Sequence, residues 1–201
     1  SVKVYPCRWL KRLRPDIETV GSHPMFGPDS ARNGLKGLNT VLCPVRISHD
    51  KLKLIKDIWT EMGAGVLIAT PERHDREAAK SLALVHYLGR GLGRLKVGPQ
   101  SISTLGFERL LLVNETVEND TKELFFDMHR FNPYAAQVRS DYLSALEEID
   151  SQIPESEPDS LPSLRGRVDR VDRRLAALIK ARMALTGRLG PFKQAQKIPV
   201  K

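Results

Sequence analysis

Apolar and polar positions alternate in two regimes along the chain. Up to Ala69 the apolar residues form short runs of β type, Ile17 to Gly21, Thr40 to Val45 and Val66 to Ala69. One helical stretch, Lys51 to Met62, separates the last two; Leu52, Ile55, Ile58 and Trp59 make its apolar stripe, Asp50 is a suitable N-cap and Gly63 a stop. A strand, helix, strand order predicts the edge of an α/β sheet. From Pro71 the period turns helical, over Pro71 to Leu95, Thr104 to Glu118, Thr121 to Phe131 and Pro133 to Ile149, with breaks at Gly98-Pro99, Asn119-Asp120 and Asn132-Pro133. Gln152 to Ser163 has no period and holds three prolines, so it reads as an exposed linker. Beyond it Leu164, Val168, Val171, Leu175, Leu178, Leu185 and Leu189 form a heptad-like seam, with Arg182 at the position between Leu178 and Leu185. By content the fold is α+β, divided as 1–70, 71–150, a linker at 151–163 and a long helix at 164–201.

Bulk composition narrows the classes. At 201 residues the chain can bury one substantial core or two small ones, and 41% hydrophobic with 28% charged residues is the balance of a soluble globular protein. No apolar run approaches the roughly 20 residues that span a bilayer, so no membrane role is expected. Cys7 and Cys43 lack the spacing of a metal site; a reduced, cytoplasmic protein without structural metal is expected. The net charge of +8 would suggest nucleic acid if it were spread over the molecule. It is not: from Leu164 onward eleven Lys/Arg face only Asp169 and Asp172, which leaves the first 163 residues at −1. That tail has Phe192 as its one aromatic residue, so nucleic-acid binding is not expected. The chain opens at Ser1 without an initiator Met and reads as a segment cut from a longer polypeptide.

Candidate chemistry concentrates in Ser22-His23-Pro24-Met25-Phe26-Gly27-Pro28-Asp29-Ser30. Two prolines and a glycine restrict this stretch, which is expected to be a loop that holds the His23 imidazole in place as a general base requires. A His-Pro step alone is equally a turn initiator. Four further features accompany it: Ser1-Val2-Lys3, Asn33-Gly34 with Lys36-Gly37-Leu38, Val45-Arg46-Ile47, and His74-Asp75 twelve residues before His86. Over roughly Ser1 to Ile149 this set resembles the prephenate/arogenate dehydrogenase family, and most of all its plant-type arogenate members.

The resemblance carries its own expectations. It implies the C-terminal remnant of a Rossmann-type dinucleotide-binding sheet followed by a helical dimerisation domain, NAD or NADP as cofactor, a homodimer, and oxidative decarboxylation of arogenate or prephenate on the way to tyrosine. It assigns His23 as the catalytic base and Ser1 as its neighbour near the substrate hydroxyl and nicotinamide. Asp29 falls where substrate choice is set: a carboxylate there pairs with the amino group of arogenate, while prephenate offers a keto group. As an alternative, Asp29 merely completes a turn. His86 is the expected substrate contact, with His74 and Asp75 as residues that cap their helix. Leu82-Ala83 replaces the Ser-His pair of many bacterial members, and the arginine that in many of them serves the substrate carboxylate near Leu112 has no match; Arg109 and Lys96 are only guesses for that partner. That partner is left open. The family's glycine-rich βα turn is absent from this sequence, so the 201 residues alone are expected to be inactive.

From Leu164 through Lys193 the chain resembles the first helix of the all-helical chorismate mutases. That resemblance places Arg165, Arg182 and Lys193 on three anion-binding positions; without it, Arg182 is a snorkelling residue in a coiled-coil seam. Two other classes compete with the enzyme: a noncatalytic dimerisation or regulatory module, and a basic helical arm for anion or nucleic-acid binding.

Overall fold

The computed structural model describes residues 1–13, 15–154 and 160–195. They divide into two compact units, Ser1–Glu148 and Ile149–Lys201. The first unit joins the expected sheet segment and helical segment in one body.

Its elements are α1 (Val4–Leu13), β1 (Thr19–Pro24), α2 (Pro28–Ala31), β2 (Asn39–Arg46), α3 (His49–Glu61), β3 (Gly65–Ile68), α4 (Pro71–Ala78), a π-helical turn (Ala79–Ala83), α5 (Leu84–Arg94), α6 (Leu105–Glu118), α7 (Lys122–Arg130) and most of α8 (Ala135–Gln152). The sheet order is β1-β2-β3. β2 and β3 are parallel and joined through α3, as the strand, helix, strand pattern predicts; Gly63, at φ +91°, takes the left-handed position that ends α3. β2 supplies the buried sheet residues Thr40 to Cys43, whereas β3 leaves Leu67 and Ile68 about half exposed at the outer edge.

One expectation is corrected here. Ser22, His23 and Pro24 do not form a loop: β1 continues through them, antiparallel to β2, with His23 opposite Val41 and Pro24 opposite Thr40. Proline is compatible with this because β1 is an edge strand. Gly21, in the same strand, lets α1 come close. A Cβ there would meet Cys7 Sγ and Lys3 Cδ, each at 3.0 Å.

The helical half is built on small residues. Ala79 and Ala83 of the π turn pack with Met128 and Ala135, flanked by Leu82, Leu124, Tyr134 and Val138. At Gly89 an added Cβ would lie 2.4 Å from Val117 Cγ2 and 2.9 Å from the Val113 carbonyl, so α5 and α6 touch backbone to side chain; Asn114 Nδ2 donates to the Gly89 carbonyl at 2.8 Å. The expected single helix from Pro71 to Leu95 thus carries one wide turn in its middle, where the Leu84 N–H reaches back to the Ala79 carbonyl.

The second unit is dominated by α9 (Leu161–Ala195). It begins earlier than the expected Leu164, because Ser160 caps it: Ser160 Oγ accepts from the Ser163 N–H. Every apolar residue of its seam from Leu164 to Leu189 is exposed, at 40–65%. Among the described residues no helix is long and apolar enough to cross a membrane, and no cluster of His, Cys, Asp and Glu fits a metal ion.

Candidate active site

Three elements meet where β1 passes the start of α4. Thr70 Oγ1 accepts from the Arg73 N–H and caps α4, and Pro71 is pre-set for its first turn. His74 and Asp75 are therefore free of the capping role expected for them and turn inward, 4% and 0% exposed. Asp75 caps a different helix: Oδ1 accepts from the Lys3 N–H at 2.7 Å and Oδ2 from the Val4 N–H at 2.8 Å, at the N-terminus of α1. Its own carbonyl accepts from Asn132 Nδ2 at 2.8 Å.

From Asp75 a line of hydrogen bonds runs to His23. His74 Nδ1 lies 2.8 Å from Asp75 Oδ1, and His74 Nε2 lies 2.7 Å from His23 Nδ1. His23 is half-buried, and its Nε2 meets no protein partner among the described residues. Burial above all, with neighbouring positive charge at Lys3 adding to it, pushes the His23 pKa down to about 3. The buried imidazole is thus held in its neutral form, with one ring nitrogen unprotonated. Ser1 is exposed as a residue, yet its partly covered amino group sits close enough to Lys3, Asp75 and His23 to interact with each. The structure thus brings Ser1 and His23 together.

His86, buried on α5, occupies a second cluster. Its Nε2 is 3.5 Å from Asp120 Oδ2, while its Nδ1 has no partner; Arg90 Nε and His129 Nε2 are likewise buried and unpartnered among the described residues. Arg90 lies over the Phe125 ring at 5.6 Å and the His129 ring at 4.6 Å from it, and Arg139 Nη1 donates to His129 Nδ1 at 2.7 Å. Sequence reasoning missed Arg90, His129 and Arg139. The available signal was spacing, since Arg90 stands four residues beyond His86 on one helix face.

Asp29 is exposed in the single turn of α2. Arg165 and Arg182 are exposed on α9, 17 residues and therefore about 25 Å apart along it. The Lys193 side chain lies outside the described residues.

A dinucleotide needs a phosphate cradle and a place for its nicotinamide. The turns from β2 to α3 and from β3 to α4 contain no glycine, and Gly89, Gly91 and Gly93 lie inside α5, where two of them serve close contact with α6.

A parallel β2–α3–β3 crossover beside an edge strand that carries the site histidine is an α/β arrangement of the kind found in nucleotide-binding domains, and comparison with known proteins bears on which. Residues 1–68 match the family model "Prephenate dehydrogenase, nucleotide-binding domain" and residues 91–165 match "TYRAAT1-like, C-terminal domain". Arogenate dehydrogenases 1 and 2 (chloroplastic) of Arabidopsis thaliana are 31% and 30% identical over 159 residues, 76% of this chain. The chain spans 25% and 44% of their respective lengths. The crystal structure of Synechocystis arogenate dehydrogenase superposes with a TM-score of 0.56 at 19% identity, over 89% of this chain and 67% of that one, and so shares the fold. The chain belongs to the prephenate/arogenate dehydrogenase family.

Proposed function

We propose that this chain supplies the base and the substrate face for NAD(P)-dependent oxidative decarboxylation of arogenate, or of prephenate. The observation that carries the reading is His23: a neutral, half-buried imidazole beside Ser1 with Nε2 unpartnered. The substrate hydroxyl gives its proton to Nε2 as the carbinol carbon loses hydride. The dinucleotide, when bound, accepts that hydride. Loss of CO2 then returns its bonding pair to the ring, the ring becomes aromatic, and the proton can pass back from Nε2 to the phenolate oxygen. Ser1, whose amino group lies near His23, is the proposed hydrogen-bond partner of the same hydroxyl. Arg90 Nε is a buried donor without a protein partner among the described residues, suited to a substrate carboxylate; it answers the question the sequence left open better than Arg109 or Lys96, both exposed.

His23→Asn in the complete gene product should lower kcat by about 10²-fold or more with little change in KM, as for loss of a general base. An unchanged kcat removes His23 from the mechanism. Arogenate is the favoured substrate because Asp29 can pair with its ammonium group. In the same assay, reduced-nicotinamide formation at saturating cofactor, Asp29→Asn should move kcat/KM from arogenate toward prephenate by roughly 10-fold or more. Equal loss with both substrates would make Asp29 a turn residue only.

The helix α9 extends the proposal less far. Its resemblance to a chorismate mutase helix suits Arg165, Arg182 and Lys193 to a dicarboxylate, and no described element of the second unit closes a pocket over the two described arginines. The free, buried Cys7 and Cys43 suit a reducing compartment.

A further inference from the structure

We propose that Asp75 and His74 are a positioning pair that decides which nitrogen of His23 is the base; the inference deepens the dehydrogenase reading and rests on it. Asp75 cannot turn away, because both its oxygens are engaged by the N–H groups that open α1 and its backbone is tied by Asn132. A carboxylate only accepts hydrogen bonds. The nitrogen of His74 that faces it at 2.8 Å, Nδ1, therefore carries the proton. A neutral imidazole has one such proton, so His74 Nε2 is a lone pair, and it lies 2.7 Å from His23 Nδ1. His23 must then be the donor in that bond. Its own proton sits on Nδ1, and the lone pair of Nε2 points away from the protein's hydrogen bonds, toward substrate.

The opposite assignment sets two lone pairs against each other at His74 and Asp75, or requires a second, charging proton on His74, a residue only 4% exposed. During turnover one bond breaks, substrate O–H, and one forms, Nε2–H of His23. No other proton has to move. The imidazolium formed keeps its Nδ1–H bond to His74, behind which the Asp75 carboxylate stands, and that carboxylate stabilises the new charge.

Histidine ¹⁵N shifts of the protein at pH 7 read the tautomer directly and need no activity. The expected result is a protonated Nδ1 and an unprotonated Nε2 on His23; a protonated Nε2 overturns the proposal, whether or not the protein is a dehydrogenase. Kinetics of the complete gene product give the second test. His74→Gln keeps an acceptor for His23 Nδ1 and should hold kcat within about 10-fold of the parent. His74→Phe keeps ring packing without an acceptor and should lose roughly 10²-fold in kcat at a KM within twofold. A Phe variant as active as the Gln variant, or more so, would mean that His74 only fills space, and the proposal falls.

Discussion

His23, His86 and His129 are each held below the ordinary imidazole pKa, first of all by burial; His23 is near 3 and His129 near 4. An unfolded chain takes up these protons near pH 6.5, whereas the native state takes up those of His23 and His129 only at about pH 4 or below, and holds that of His86 off below its ordinary range. Between those values the unfolded state binds more protons, so stability is complete above about pH 6.5 and is lost as pH falls from there toward 3. Thermal melts at pH 7, 5.5 and 4 should show a steady fall in Tm, and His129→Phe should flatten it. A Tm independent of pH over this range would contradict the burial argument. At this scale the site was partly legible: His23, His74, Asp75 and His86 all stand out in the sequence through their order and spacing. The direction in which Asp75 faces was not, since a residue five places into a helix segment looks like a local cap until the partner segment, Lys3 and Val4, is seen beside it.

Elements tell the same story from the other side. The β2–α3–β3 crossover was readable because each of its signals is local: an apolar run, a helical stripe, a glycine at the left-handed stop. Helix α1 was invisible. It carries Pro6 in its first turn and has no capping side chain of its own, for its orphan N–H groups are taken by a carboxylate some seventy residues away. Strand β1 was cut short in the sequence reading by the same kind of limit. Pro24 argues for a loop only if the strand is internal, and whether a strand is an edge is decided by what pairs on its other side. Local chemistry fixes the type of an element well, then, and its ends poorly wherever the terminating or capping group comes from elsewhere.

On the scale of the whole molecule, the first unit leaves one large apolar concavity, about 1080 Å³, between α5, α6, α7 and α8, with Leu88, Leu92, Leu110, Phe126, Leu143 and Leu146 on its walls. We propose that a second copy of the chain occupies it, because Phe126 is 63% exposed and no acidic residue lines the cavity. Light scattering at micromolar concentration should return a dimer, and Phe126→Asp a monomer. A monomeric parent would refute this; a Phe126→Asp dimer would move the interface elsewhere, with the open seam of α9 as the next surface to test.

The wide turn at Ala79–Ala83 has a consequence for the phase of the helix that carries both halves of the site. Twelve residues separate His74 from His86, and at about 100° per residue an uninterrupted α-helix would place them roughly 120° apart around its axis. A π turn absorbs one extra residue. The effective separation becomes eleven steps, about 20°, and the two imidazoles return to nearly one face, one toward β1 and the other a few turns further along. The spacing of twelve is thus legible as a site only when the helix is not regular. It follows that deletion of the exposed Ser81, which would let the turn close to ordinary α geometry, preserves the phase: the variant should melt within a few degrees of the parent and keep its KM in the complete gene product. A variant that folds but loses substrate affinity would show that the turn does something other than restore this register.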